Sequence, residues 1–376
     1  MKNNSGITVN LQELIRPEIR ELRAYQSHLY PGVVKMDANE NPFPWPAGMR
    51  EALFGEDIIF NRYPDSSARD LKAAIAGYAG VNSEEILIGN GSDEVIQLIL
   101  ATFGGVGKAV VLHPPTFGMY DAAACITATA VIRVPLRQGL YLDTEGVLAA
   151  ASSPEVSTII LCSPNNPTGT LFERAELLRL VGETGKIIIM DEAYAEFSGE
   201  SITDEIRKHP NLLVMRTFSK AFALAGLRLG YLLGQAATIE LVNRVKQPFN
   251  VNVFTQRAGI IALRYLEQYQ AQIAEIKAET AKLSKALSEI PGLIVYPTQA
   301  NFILFQPDDP DIWAEKLLAS GFLLRHMGDL PVLGKCLRVS AGLPEENSAF
   351  IQAIRALASE RGLLKSRNSE GESRGA

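Results

Sequence analysis

Short apolar runs rich in β-branched residues recur through the middle of the chain, at 109–112, 130–134, 158–162, 186–191, 212–217 and 230–233. None of them alternates apolar with polar positions, which is the pattern of strands buried on both faces of a layered sheet. Stretches of helical character lie between them: 92–103 follows Gly89-Asn90-Gly91, and 173–184 follows the turn string Asn166-Pro167-Thr168-Gly169. Strands alternating with helices predict an α/β fold built on a large, mostly parallel sheet with helices on both faces, and they place the chemistry in loops at the strand ends.

Farther along, Ile260, Leu263, Leu266, Ile273, Ile276, Leu283 and Leu287 are separated by charged residues, which predicts one or two long amphipathic helices over 256–290 ending at Pro291-Gly292. Strands at 301–305 and 336–340, with helices near 312–320 and 346–361, predict a smaller α+β domain beyond. The expected division is an N-terminal arm with part of the small domain (1–55), a large domain (56–255), a connecting helical region (256–290), a small C-terminal domain (291–362) and a polar tail (363–376) that frays.

The chain of 376 residues has room for two domains at roughly 150 residues each. With 47% hydrophobic and 21% charged residues it excludes wholesale disorder, collagen-like repeats and a coiled coil. A net charge of -6, from 36 basic and 42 acidic residues, argues against a nucleic-acid partner and for small-molecule ones. Cys125, Cys162 and Cys336 are scattered and odd in number, so no disulfide framework is expected and a reducing, cytoplasmic setting fits. No apolar run approaches the roughly 18 residues a membrane span needs. His28, His113, His209 and His326 stand isolated, so no metal site is expected.

Four strings carry candidate chemistry. Thr217-Phe218-Ser219-Lys220 follows an apolar strand, and a lysine among small and apolar residues is poorly solvated, its amine made nucleophilic toward carbonyls. A solvated lysine at a strand end is the commoner case. Asp191-Glu192-Ala193-Tyr194 closes another buried strand with a carboxylate facing the ligand crevice, or with a helix cap. Ser163-Pro164-Asn165-Asn166-Pro167 stiffens a loop that presents an amide. Gly91-Ser92-Asp93-Glu94 opens a helix whose free backbone amides suit a phosphate, or only a capping turn.

Taken in order, Asn39-Glu40-Asn41-Pro42, Asn61-Arg62-Tyr63-Pro64, Gly91-Ser92-Asp93-Glu94, Asn166-Pro167-Thr168-Gly169, Asp191-Glu192-Ala193-Tyr194, Ser219-Lys220-Ala221-Phe222, Gly226-Leu227-Arg228 and Leu337-Arg338-Val339 resemble the fold type I aminotransferases that use pyridoxal 5'-phosphate. Within them the chain is most similar to the histidinol-phosphate aminotransferase family, over about residues 15–362. The resemblance implies a large, mostly parallel seven-stranded sheet domain with a smaller α+β domain, and pyridoxal 5'-phosphate as cofactor. It implies transamination between histidinol phosphate and 2-oxoglutarate in histidine biosynthesis. An aromatic amino-acid aminotransferase and, from another reaction class, a threonine-phosphate decarboxylase are the alternatives, because the cofactor motifs do not separate them.

Residue by residue, Lys220 resembles the lysine that carries the cofactor and moves the proton, and Asp191 the acid that pairs with the ring nitrogen. Asn166 and Tyr194 match groups that bond the phenolic oxygen, and Phe117 the residue stacked on the ring. Gly91, Ser92, Asp93, Thr217, Ser219 and Arg228 match the phosphate cradle, with Tyr63 reaching it from a second subunit, which implies a homodimer with shared sites. For the substrate, Arg338 resembles a carboxylate clamp and Arg325 a contact to the phosphate end; Asn39 and Tyr25, or Tyr30 in its place, complete the set.

Overall fold

A computed structural model of the chain describes residues 10–20, 22, 24, 30–55 and 57–364. Tyr25 and the polar tail from 365 onward lie outside the described residues.

The N-terminal arm contributes a two-residue strand, β1 (Val34–Lys35). The large sheet follows as β2 (Ile86–Gly89), β3 (Ala109–Leu112), β4 (Ala130–Arg133), β5 (Val156–Cys162), β6 (Ile187–Asp191), β7 (Leu212–Thr217) and β8 (Gly230–Leu233). Its order is β2-β8-β7-β6-β5-β3-β4. Neighbours pair in parallel from β4 to β7, while β8 runs antiparallel to both β7 and β2. This is the mostly parallel seven-stranded sheet expected.

Alternation along each strand divides the core into two. Val111, Ile159, Leu161, Ile188, Met190 and Val214 pack on one face, and Val110, Leu112, Ile160, Ile189, Leu213 and Met215 on the other. The second face is covered by helices Ser92–Phe103 and Met119–Ile126, through Val95, Ile96, Ile99, Tyr120 and Ala123. Burial on both sides explains the unbroken apolar runs of β3 and β5 to β8, whereas β4, at the edge, is only partly buried. The edge strand β2 is absent from the sequence expectation: its four residues, between the turn Ser83–Glu85 and a helix start, form too short a run to carry a period.

Two helices occupy the connecting region, Val253–Arg264 and Leu266–Ser288, parted at Tyr265. Asn252 caps the first by accepting a bond from Thr255 N at 2.9 Å. The remaining strands are β9 (Ile294–Val295), β10 (Phe302–Gln306), β11 (Phe322–Leu323), β12 (Arg325–Leu330) and β13 (Gly334–Ser340). An antiparallel sheet of order β12-β13-β10-β9 is backed by helices Pro310–Ala319 and Leu266–Ser288, and helix Pro344–Glu360 packs on both of these. The arm is tied to this part of the fold along its length: β1 pairs in parallel with β11, Ser340 N donates to Met36 O at 2.8 Å, and Asn301 Nδ2 donates to Asn39 O at 3.1 Å. Those ties bring the Ala38–Asn41 stretch over the end of the large sheet.

Candidate active site

The parallel strands β5, β6 and β7 end side by side at Cys162, Asp191 and Thr217, where ligands of open α/β sheets bind. Alternation puts Asp191 on the Ile189 side of the sheet, among the helices of the second face. It is 3% exposed. Its Oδ2 accepts from Tyr120 Oη at 2.6 Å and its Oδ1 from Ala193 N at 3.0 Å. Burial raises its pKa to about 6, although both of these bonds oppose the rise. Each carboxylate oxygen keeps lone-pair capacity for one more donor.

Lys220 sits in a loop held from three sides. Ser219 N donates to Thr217 Oγ1 at 3.1 Å, Asn41 Nδ2 to Ala221 O at 2.9 Å, and Trp45 Nε1 to Ala223 O at 3.0 Å. The neighbours Phe218, Ala221 and Phe222 are buried. Lys220 Nζ donates to Ala38 O at 2.9 Å. Burial, joined by the charge of Arg338, lowers its pKa to about 8, so near pH 8 about half the amines are neutral and nucleophilic.

A third anchor lies at the start of helix Ser92–Phe103. Gly91 has φ +81, and a Cβ there would stand 2.5 Å from Arg228 Nη2. A Cβ on Gly230 would stand 2.5 Å from Ser92 N, so β8 passes against this turn at a separation only glycine permits. Arg228 Nη2 donates to Asp93 Oδ2 at 2.9 Å, which aims the guanidinium across the helix start. Thr217 and Ser219 are buried beside this loop.

On the side of the smaller sheet, Arg338 Nη1 donates to Asn166 Oδ1 and Nη2 to Asp37 O at 2.7 Å, with the guanidinium 5.2 Å above the Phe302 ring. Asn39 Nδ2 donates to Tyr194 Oη at 2.9 Å, and the Asn39 amide oxygen accepts from Ser340 Oγ at 3.0 Å. Burial pushes the Tyr194 phenol well above its usual range. Arg325 is the cross-strand partner of Arg338, so the two side chains share a face of the sheet.

The structure therefore joins Lys220, Asn39, Tyr194, Asn166 and Arg338 through direct contacts or shared neighbours, with Asp191 and the Gly91–Arg228 turn at the same strand ends. Phe117 is half-buried with its ring 5.5 Å from that of Tyr120. Tyr63 stands apart, 82% exposed and stacked on Phe249 at 4.4 Å. Sequence reasoning passed over Tyr120 and gave Asn41 no role. Tyr120 lies three residues after Phe117 in Pro114-Pro115-Thr116-Phe117-Gly118-Met119-Tyr120, a helical spacing that places both on one side.

A sheet with one reversed strand whose carboxyl ends open onto a half-neutral lysine, a buried acid and a glycine-lined anion cradle is suited to amine–carbonyl exchange, and the chain belongs to the aminotransferase class I and II family, whose model matches residues 31–354. More particularly, it is 57% identical over 351 residues to the histidinol-phosphate aminotransferase of Desulfitobacterium hafniense, covering 92% of this chain and 98% of that relative. The histidinol-phosphate aminotransferase of Chromobacterium violaceum is 39% identical over 350 residues, again with 92% and 98% covered. In fold, the chain matches the crystal structure of histidinol-phosphate aminotransferase from Sinorhizobium meliloti in complex with pyridoxal-5'-phosphate, with a TM-score of 0.81 at 23% identity, covering 91% of this chain and 98% of that one.

The residues present fit that cofactor. An amine suits its aldehyde, the free lone pairs of Asp191 suit a ring N–H, and the space that only glycine leaves beside Arg228 suits a phosphate.

Proposed function

We propose that the protein transfers the amino group of L-histidinol phosphate to 2-oxoglutarate, using pyridoxal 5'-phosphate, as a cytoplasmic homodimer. The geometric observation that carries the choice of substrates is the cross-strand pair Arg325–Arg338 on the face that meets Asn166. Two guanidinium side chains on one face of the sheet form a basic wall suited to an anion. The donor brings a phosphate and the acceptor two carboxylates, so one basic wall serves both in turn.

When bound, pyridoxal phosphate supplies an electron sink for the carbon that loses its proton. Lys220 Nζ would hold the cofactor and move the proton at the substrate carbon. Asp191 stays ionised against the ring N–H. Asn166 and Tyr194 would bond the ring oxygen, Phe117 would stack on the ring, and Arg228, the amides at 91–93 and the Thr217 and Ser219 hydroxyls would hold the phosphate. Asn39 positions Tyr194 through the bond to its hydroxyl. Arg338, held by Asn166 Oδ1 and Asp37 O, would meet the acceptor carboxylate.

Offering the purified holoenzyme histidinol phosphate, phenylalanine and threonine phosphate, each with and without 2-oxoglutarate, tests the reading. Turnover of histidinol phosphate that depends on 2-oxoglutarate is expected. Preference for phenylalanine, or release of carbon dioxide from threonine phosphate without an acceptor, would replace it.

The two arginines should separate the half reactions. A lost charge-assisted hydrogen bond costs about 1.5 to 3 kcal/mol, or roughly 10- to 150-fold in kcat/KM. Arg338→Ala should weaken 2-oxoglutarate and glutamate turnover, and Arg325→Ala chiefly that of histidinol phosphate, in single-turnover spectra of each half reaction.

Support for the homodimer comes from exposed apolar residues: Phe54, Ile59, Phe60 and Tyr63 are 64%, 57%, 71% and 82% exposed. A second copy covering them buries surface that one chain leaves in water. Buried free Cys162 and Cys336 are compatible with a reducing compartment, and no described helix is long and apolar enough to cross a membrane. If Tyr63 reaches the neighbour's phosphate, a mixed dimer of Lys220→Ala and Tyr63→Phe chains holds one site with both lesions and one with neither. Subunit exchange should then raise activity above the mean of the two parents, and no gain would assign Tyr63 to its own chain.

A further inference from the structure

Beneath the acid that meets the ring nitrogen lies a phenol with no assigned role. Tyr120 is 0% exposed, and its hydroxyl is 2.6 Å from Asp191 Oδ2. The helix that carries it, Met119–Ile126, packs on the second face of the large sheet, and its ring meets that of Phe117 edge-on at 85°. We propose that Tyr120 is a positioning residue for cofactor binding: its hydroxyl fixes and stabilises the Asp191 carboxylate, and its ring braces Phe117, so one side chain sets the contact to the ring nitrogen and the contact to the ring face. The inference rests on the reading of Asp191 given above and adds to it the group through which that carboxylate stays ionised and aimed.

Three features support the assignment. First, the Asp191 oxygens divide their partners, with the Ala193 amide on Oδ1 and Tyr120 on Oδ2, so the carboxylate plane is held at two points and each oxygen keeps capacity for a further donor. Second, Tyr120 is a donor at every working pH, because burial and the neighbouring carboxylate push its own ionisation far upward. Third, apart from the Ala193 amide, the neighbours named with Asp191 work against its charge or carry none. Asp93 and Glu192 raise its pKa, and Cys162 and Tyr194 are themselves held neutral by burial. Behind them, His113 is kept neutral by burial and accepts from Cys162 N at 3.0 Å, fixing the floor without adding charge.

The sign of the effect follows. Removing the hydroxyl withdraws a hydrogen bond from the charged form only, so the Asp191 pKa rises above its already elevated position and more of the acid is protonated at neutral pH. A neutral acid holds the ring N–H less well, and the loss is recovered as pH rises.

The test is the pyridoxal-phosphate dissociation constant of the holoenzyme between pH 5 and 9, with thermal midpoints, for wild type, Tyr120→Phe, Asp191→Asn and the double variant. Tyr120→Phe keeps the ring against Phe117 and should move the profile upward by about one unit, weakening cofactor binding roughly 10-fold at pH 5 and about 2-fold at neutral pH. In the Asp191→Asn background the same change should do nothing further to binding, because the carboxylate it serves is gone. A lower thermal midpoint with an unmoved pH profile would make Tyr120 a packing residue and overturn the inference. If Asp191→Asn itself leaves cofactor affinity and profile at wild-type values, it is the reading of Asp191 that falls.

Discussion

Lys220→Ala should abolish transamination, with kcat down by about 10,000-fold or more, while the protein still binds pyridoxal phosphate through the remaining contacts. Both functions proposed for the amine vanish together: it holds the cofactor, and it moves the proton on the substrate carbon. The cradle at Gly91, Ser92 and Arg228 does not touch Lys220 Nζ, whose bond is to Ala38 O, so phosphate anchoring should survive. Borohydride reduction provides the direct reading. In the wild type the pyridoxyl label should map to the peptide containing Lys220, and in the variant no lysine should carry it. A label on Lys186 or Lys246 would move the assignment elsewhere in the chain. Because burial and Arg338 lower the Lys220 pKa to about 8, capture of free cofactor by the cofactor-free enzyme should speed up as pH rises through 8, as the neutral amine accumulates.

Asp191→Asn should keep the fold and most cofactor contacts yet lower kcat by about 100- to 1,000-fold, the scale seen when one preorganised electrostatic contact is removed from a site. The amide matches the shape of the carboxylate, and its one oxygen can still accept from Ala193 N, so the fold is kept while the charge is lost. Asp191→Glu keeps the charge but displaces it, and positioning losses of this kind reach about 100-fold. Steady-state rates beside the absorption spectrum of the bound cofactor separate the two cases. A wild-type kcat for Asp191→Asn would reduce this residue to a cap for the turn that follows β6.

Much of this protein is legible one segment at a time. The apolar runs that became β3 and β5 to β8 announce themselves because strands buried on both faces have no polar side to show; β4, at the sheet edge, is only partly buried. Helix Ser92–Phe103 is bounded as expected by Gly91 and Gly104, and the strings around Lys220, Asp191, Asn166 and Arg228 sit at strand ends and turns, where composition and order are local properties.

What the sequence could not decide are the meetings across distance. Tyr120 and Asp191 are 71 residues apart and touch because alternation turns Asp191 toward the helix layer, a fact that depends on which face each strand presents once the sheet order is set. Arg338 and Asn166 are 172 residues apart, and Asn39 and Ser340 301 apart; both contacts require the smaller sheet and the arm to close over the large one. The edge strand β2 exists because β8 offers it a partner, not because four residues carry a period of their own. Local patterning records burial and backbone preference, which each segment expresses alone. Pairing, register and the convergence of side chains from separate elements are properties of the packed whole, and only the tertiary structure decided them.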